Sequence, residues 1–166
     1  PAVYKRRDLY IASPNCTQPH FSDTQGCMYL GPKPTKFTPP QRTMQVDVRA
    51  AKLAEIYKQL GWLEEQIRLP WLAGNQITHA DLTWFPTAVF MEFLLPHVFG
   101  WGDIFHEKEQ YPKLTSWFET SCLPNEHFER VRTEIRGTLE SQGTAGRFED
   151  VREEVSKHLE FKWKYI

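Results

Sequence analysis

Eighteen consecutive residues, Leu82 to Phe99, carry only two ionisable side chains, Glu92 and His97. Apolar side chains lie on every side of such a run, so a helix made from it must be enclosed on all sides, by other helices or by lipid. A bilayer span needs roughly 17–25 apolar residues. Pro86 and Pro96 interrupt this one and Glu92 sits mid-run, where a bilayer would penalise its charge. The run therefore reads as the central core helix of a helical bundle.

The residues just before it spell a helix start. Thr78 is a good N-cap, with a hydroxyl able to accept from the backbone N–H of Asp81. Asp81, three residues on, can reach back to the Thr78 N–H, which completes a capping box with Asp in the usual Glu or Gln place. Ile77 and Leu82 stand where a hydrophobic staple would close over the cap. The helix dipole also favours the negative charge of Asp81 there.

Elsewhere the pattern is mainly helical. Val46, Ala50, Leu53, Ile56, Tyr57, Leu60, Leu63 and Ile67 recur at three- and four-residue steps, which predicts one amphipathic helix with Gly61 as its weak point. Leu114, Trp117 and Phe118 mark a helical face between Tyr111 and Cys122. Asn125 can cap a further helix bearing Phe128, Val131, Ile135 and Leu139. After Gly143 and Gly146 a last helix carries Val151, Val155 and Leu159. Before all these, Pro14, Pro19, Pro32, Pro34, Pro39 and Pro40 break the chain into loop, with room for a helical turn or two between Asp23 and Leu30. At the start, Val3 and the run Leu9-Tyr10-Ile11 flank a charged turn from Lys5 to Asp8, the signature of a small β-hairpin. At the end, Phe161, Trp163, Tyr165 and Ile166 alternate with charge; they pack back on the domain or dock on a partner.

Charge and cysteine usage narrow the functions. Lys+Arg 20 against Asp+Glu 21 leaves a net charge of -1, so no basic field holds nucleic acid or an anionic membrane. Cys16, Cys27 and Cys122 form no CxxC pair, and the odd count argues against a disulfide framework. A reducing compartment follows, cytoplasm or organelle interior. No HxxxH or HExxH spacing occurs among His20, His79, His97, His106, His127 and His158, so no metal site is expected. Glu92, a carboxylate in an apolar run, must be paired; a hydrogen bond to a neighbouring helix end is the structural reading. Among thiols, Cys27 reads as a small core residue and Cys16 as the exposed one, with no activating base nearby in sequence.

The segment Leu72-Ala73-Gly74, then Ile77-Thr78-His79-Ala80-Asp81, followed by Tyr111-Pro112-Lys113-Leu114-Thr115-Ser116-Trp117, resembles the C-terminal helical domain of glutathione transferases. The resemblance covers roughly residues 45 to 140 and extends to the N-terminus. There Pro1-Ala2-Val3 and the following hairpin are similar to part of that family's thioredoxin-like domain. It implies that Pro1 matches the cis proline holding the cysteinyl backbone of glutathione. The γ-glutamyl end would be held by Asp23 and Thr24 within Asp23-Thr24-Gln25-Gly26-Cys27-Met28-Tyr29-Leu30, or alternatively by Ser13. The implied fold is a glutathione-transferase-type helical bundle over 45–142, after a thioredoxin-like β-hairpin remnant over 1–31 and a proline-rich linker over 32–44. A C-terminal helix and aromatic tail occupy 143–166.

Three departures set the alternatives. The family's thiol-activating residue precedes the position matched by Pro1. The family has two long helices between its domains, and here one fits between Pro40 and Pro70. Residues 144 to 166 run past the family's usual end. The implied function is thiol transfer or another glutathione-dependent reaction, with glutathione as substrate and no metal. The alternative is a non-catalytic scaffold or assembly subunit. Either reading expects a protein partner, a homodimer or a larger complex, and at most peripheral membrane contact through that partner.

Overall fold

The computed structural model describes residues 25–166. Among them the architecture is mainly helical, with no named strand. The hairpin expected over Val3 to Ile11 lies outside the described residues. A short 3-10 turn, Gln25–Met28, comes first and another, Pro40–Arg42, closes the proline-rich stretch. Five helical elements follow: α1 Val46–Gln66, α2 His79–Phe99, α3 Pro112–Ser116 running on as a π-helical turn Trp117–Cys122, α4 Glu126–Thr144, and α5 Glu149–Lys157.

Helix α2 is the centre of the bundle. Its buried residues, among them Ala80, Trp84, Phe85, Ala88, Met91, Leu94, Leu95 and Phe99, point in all directions. The turn at Gln25–Met28, α4 and α5 pack around it. By length and composition alone it could cross a membrane, yet more than half of its most apolar stretch is buried inside the domain. That burial is the fate expected of a core helix. Both prolines are accommodated within it. At its end Gly100 takes a left-handed φ of 69°, which lets the N–H groups of Gly100 and Trp101 return to Pro96 and Leu95 carbonyls.

Aromatic rings fill one end of the core. Trp84 lies 4.9 Å from Trp117 between centroids, Phe85 4.7 Å from Phe128, and Phe105 4.9 Å from Phe118. These are tilted and edge-to-face arrangements that suit ring quadrupoles. Helix α1 runs unbroken through Gly61 and buries Leu53, Ile56, Leu60 and Leu63. It also buries two polar side chains, Arg49 and Gln59.

The proline-rich stretch is a tied loop rather than a free strap. Gly31 N–H donates to the buried Thr38 Oγ1 at 3.0 Å, and Met44 N–H returns to the Gly31 carbonyl at 3.1 Å.

One expectation needs correction. Leu159, placed on the apolar face of the last helix, lies beyond α5 and is 81% exposed. The aromatic tail, read as packing back on the domain or docking on a partner, lies against its own domain. Trp163 is only 7% exposed, and Phe161, Tyr165 and Ile166 pack partly buried against the same core. The Trp101 indole donates to the Trp163 carbonyl at 2.7 Å, Gly102 N–H donates to the Ile166 carbonyl at 3.2 Å, and Tyr165 stacks on Tyr57 at 5.0 Å.

Candidate functional site

The start of α2 is built around one carboxylate. The Thr78 hydroxyl accepts from Ala80 N–H at 3.2 Å, within a capping box that also engages the N3 backbone. Asp81 Oδ2 accepts from Thr78 N–H at 2.9 Å and from the Thr78 hydroxyl at 3.0 Å. Its Oδ1 accepts from Leu72 N–H and from the Trp117 indole, each at 2.9 Å. Asp81 is fully buried, so every acceptor site it presents is used where water is absent. Ile77 and Leu82, the two staple positions, remain 43% and 53% exposed. The polar contacts of Asp81 therefore hold this helix start more than the staple does.

A second buried charge fixes the segment that follows the expected glutathione ligands. Arg49 on α1 is wholly buried. Its Nε donates to Glu154 of α5 at 2.5 Å, while its two terminal nitrogens donate to the backbone carbonyls of Cys27 and, at 2.6 Å, Leu30. The planar guanidinium fork reaches three acceptors at once, which a lysine could not do in the same geometry. The Gln25–Leu30 segment is thereby clamped onto α1 and α5. Pro1, Ser13, Asp23 and Thr24 themselves lie outside the described residues. Arg49 had a sequence signal: it falls on the apolar stripe of α1, four residues before Leu53, where a charge must find partners.

Glu92 forms a third cluster. Arg132 of α4 binds both its oxygens, with a closest approach of 2.7 Å, and Arg136 reaches Oε1 at 3.2 Å. His106 Nε2 donates to Oε1 at 2.9 Å, and its Nδ1 lies 3.1 Å from Glu119. The partners are thus side chains of α4 and of the loop after α2, not the neighbouring helix end expected from sequence. A polar cavity of about 350 Å³ opens beside them, lined also by His97 and Asp103. Burial pushes the Glu92 carboxyl up, but the Arg132 and His106 hydrogen bonds and both guanidiniums outweigh it and hold the group below the usual carboxylate range. A carboxylate so fully engaged is a poor proton acceptor at neutral pH. The cluster joins α2 to α4.

Burial disfavours the thiolate form of both thiols within the described residues. Burial pushes Cys27 up to about 12, against the opposing charges of Arg49 and Lys52. Burial also raises Cys122. Nucleophilic attack needs the thiolate, which both sites disfavour. Cys16 lies outside the described residues. Burial raises the Tyr111 hydroxyl as well, so it is no ready proton acceptor. No group of three or more metal-ligating side chains gathers among the described residues.

Residues 46–120 match the family model described as the glutathione S-transferase C-terminal domain. The match spans α1, α2, α3 and most of the π-helical turn, and so includes Asp81, Trp117 and Glu64. No curated protein matches the chain. No solved structure matches it.

Proposed function

Because residues 46–120 form a glutathione S-transferase C-terminal domain, we propose that the chain is part of a glutathione-dependent, thiol-transferring protein. In this reading Asp23 and Thr24 receive the γ-glutamyl end of the tripeptide, with Ser13 as the alternative, and Pro1 receives its cysteinyl backbone. The supporting observation is the Arg49 clamp. A buried arginine spends two terminal nitrogens on the carbonyls of Cys27 and Leu30. These lie four and seven residues beyond Asp23. Holding that segment in one place is what a ligand-binding turn needs, because pre-ordering lowers the entropy lost on binding.

A second reading is favoured by the single long helix α1 between Pro40 and Pro70. The family places two helices there, one of which lines its electrophile pocket. A chain lacking it could serve as a non-catalytic scaffold in a homodimer or larger complex.

Calorimetric titration of glutathione into the full protein separates the two. Binding in the micromolar-to-millimolar range, abolished by Asp23→Ala and weakened by Arg49→Met, supports the thiol-dependent reading. Absence of binding at millimolar glutathione sinks it and leaves the scaffold.

A further inference from the structure

Three contacts run from the last part of the chain onto the segment that follows Asp23 and Thr24. The Arg147 guanidinium, just before α5, lies 5.0 Å from the Tyr29 ring centre. Asp150, in the first turn of α5, pairs with Lys33 at 3.1 Å. Glu154 stands four residues on, on the same face of α5. It reaches the segment through Arg49, whose Nε donates to it at 2.5 Å while the two terminal nitrogens donate to the Cys27 and Leu30 carbonyls.

These contacts are unequal. The Lys33 side chain is 65% exposed, so its pair with Asp150 is screened by water and weak. The attraction of Arg147 to the Tyr29 ring is modest. Arg49 and Glu154 are both buried, and removing one member of a buried pair strands the charge of the other. Of the three acceptors on Arg49, two are neutral carbonyls and only Glu154 carries compensating charge. A guanidinium without Glu154 gains by turning out to water, and in doing so it lets go of Cys27 and Leu30.

We infer that Glu154 is a positioning residue for the thiol site: acting through Arg49, it holds the Gln25–Leu30 segment where Asp23 and Thr24 can receive the γ-glutamyl end of glutathione. The inference rests on the glutathione reading and gives a task to α5, which lies beyond the residues 46–120 matched by the family model. A segment seated for only part of the time binds with an affinity reduced by the seated fraction. Coupling between two sites is reciprocal, so a ligand held at one end of this chain of contacts tightens α5 at the other.

The test titrates glutathione by calorimetry into the full protein and follows amide hydrogen exchange in the same samples. Glu154→Met should weaken binding about tenfold, the scale of one charge-assisted hydrogen bond. Glu154→Gln keeps an acceptor for the Arg49 Nε and should stay within about threefold of the wild type. Glu153→Gln, at an exposed neighbour paired with Lys157, should leave the affinity unchanged. In Glu154→Met, exchange should quicken at Tyr29, Leu30 and Gly31, whose N–H groups are bonded within this segment and its loop, and not in the middle of α2. Saturating glutathione should slow exchange across Glu149–Lys157 in the wild type and not in Glu154→Met, a response that a merely structural helix would not give. Glu154→Asp draws the carboxylate back by one methylene and should show the same changes in smaller measure, which keeps the test open where Glu154→Met does not fold. Wild-type affinity in a folded Glu154→Met or Glu154→Asp protein overturns the inference. So does weakened binding with unchanged exchange at residues 29–31. A wild-type chain that binds no glutathione overturns the glutathione reading and this inference with it, so the wild-type titration tells the two failures apart.

Discussion

The Trp117 indole donates to Asp81 Oδ1 at 2.9 Å, across 36 residues of sequence. This bond ties the helix that opens after Tyr111-Pro112 to the capped start of α2. The same oxygen takes Leu72 N–H, so the glycine-containing loop is fastened at the same point. Three segments that look like separate motifs in sequence thus meet on one carboxylate. Glu64 of α1 completes the arrangement. Its two oxygens accept from Lys113 N–H and Leu114 N–H, each at 2.9 Å, and so satisfy the first turn after Pro112 with a negative charge where the dipole favours one.

Asp81→Ala should therefore destabilise far beyond a lost cap. The cap accounts for about 1 kcal/mol, and the stranded Leu72 N–H and Trp117 indole N–H each add about 1–3 kcal/mol as buried unpaired donors. Thr78→Ala, which leaves Asp81 bonded to Leu72 and Trp117, should cost only about 1 kcal/mol. Urea unfolding followed by tryptophan fluorescence measures both. Equal losses in the two variants would show that Asp81 acts only as a cap.

The capped helix and the amphipathic α1 are legible in sequence because periodicity and capping chemistry are local. The ring of charges around Glu92 is not, because its partners come from α4 and from the loop after α2. Arg132 and Arg136 are four residues apart, so one face of α4 could be read as basic, but nothing local says that it faces Glu92. Arg49 is intermediate: its place on an apolar stripe shows that it is buried, while Cys27, Leu30 and Glu154 become its partners only in the fold. The tail is the opposite case. Its aromatic composition demands burial, but composition alone does not choose between its own core and another protein.

Thiol reactivity offers a direct check on the seat of the Gln25–Leu30 segment. Cys27 and Cys122 are both fully buried with raised pKa values. Alkylation of the native protein at pH 8, read by mass spectrometry, should leave both unmodified over a time in which the urea-unfolded chain reacts completely. Arg49→Met should expose Cys27 selectively, because the clamp on its carbonyl is gone. Rapid native labelling of Cys27 would mean that this segment leaves its seat without help.

His106 should make stability depend on pH in a direction that can be worked out. Burial lowers its pKa, but the hydrogen bonds to Glu92 and Glu119 and the charge of Asp103 raise it above 6.5 overall. Its stabilising contribution is thus fully present below pH 6.5 and is lost as pH rises through the folded value. Glu92, held below 4.5, contributes above that pH and loses its effect as pH falls through its lower folded value. His97 acts against His106: burial and Arg152 lower its pKa, so its contribution is present above pH 6.5 and is lost as pH falls. Urea midpoints at pH 6.5 and pH 9 should fall with rising pH in the wild-type protein, and His106→Gln should flatten that fall. A fall of the same size in His106→Gln would place its origin elsewhere.

The aromatic tail makes the last test. Trp163 is nearly buried, lies 6.3 Å from Phe99 in a stacked arrangement, and donates from its indole to the His158 carbonyl at 2.8 Å. Its own carbonyl accepts from the buried Trp101 indole. Trp163→Ala removes the ring but leaves the backbone bond to Trp101, and should cost about 3 kcal/mol, as large aromatic truncations in cores do. Truncation after Glu160 also takes away the acceptor for Trp101 and the ring stacked on Tyr57, so it should cost more than the point variant. Sedimentation should show the same mass for the wild-type and Trp163→Ala proteins, since the ring faces the chain's own core. A stability unchanged by Trp163→Ala, together with a lower mass in solution, would instead return the tail to the role of a docking element.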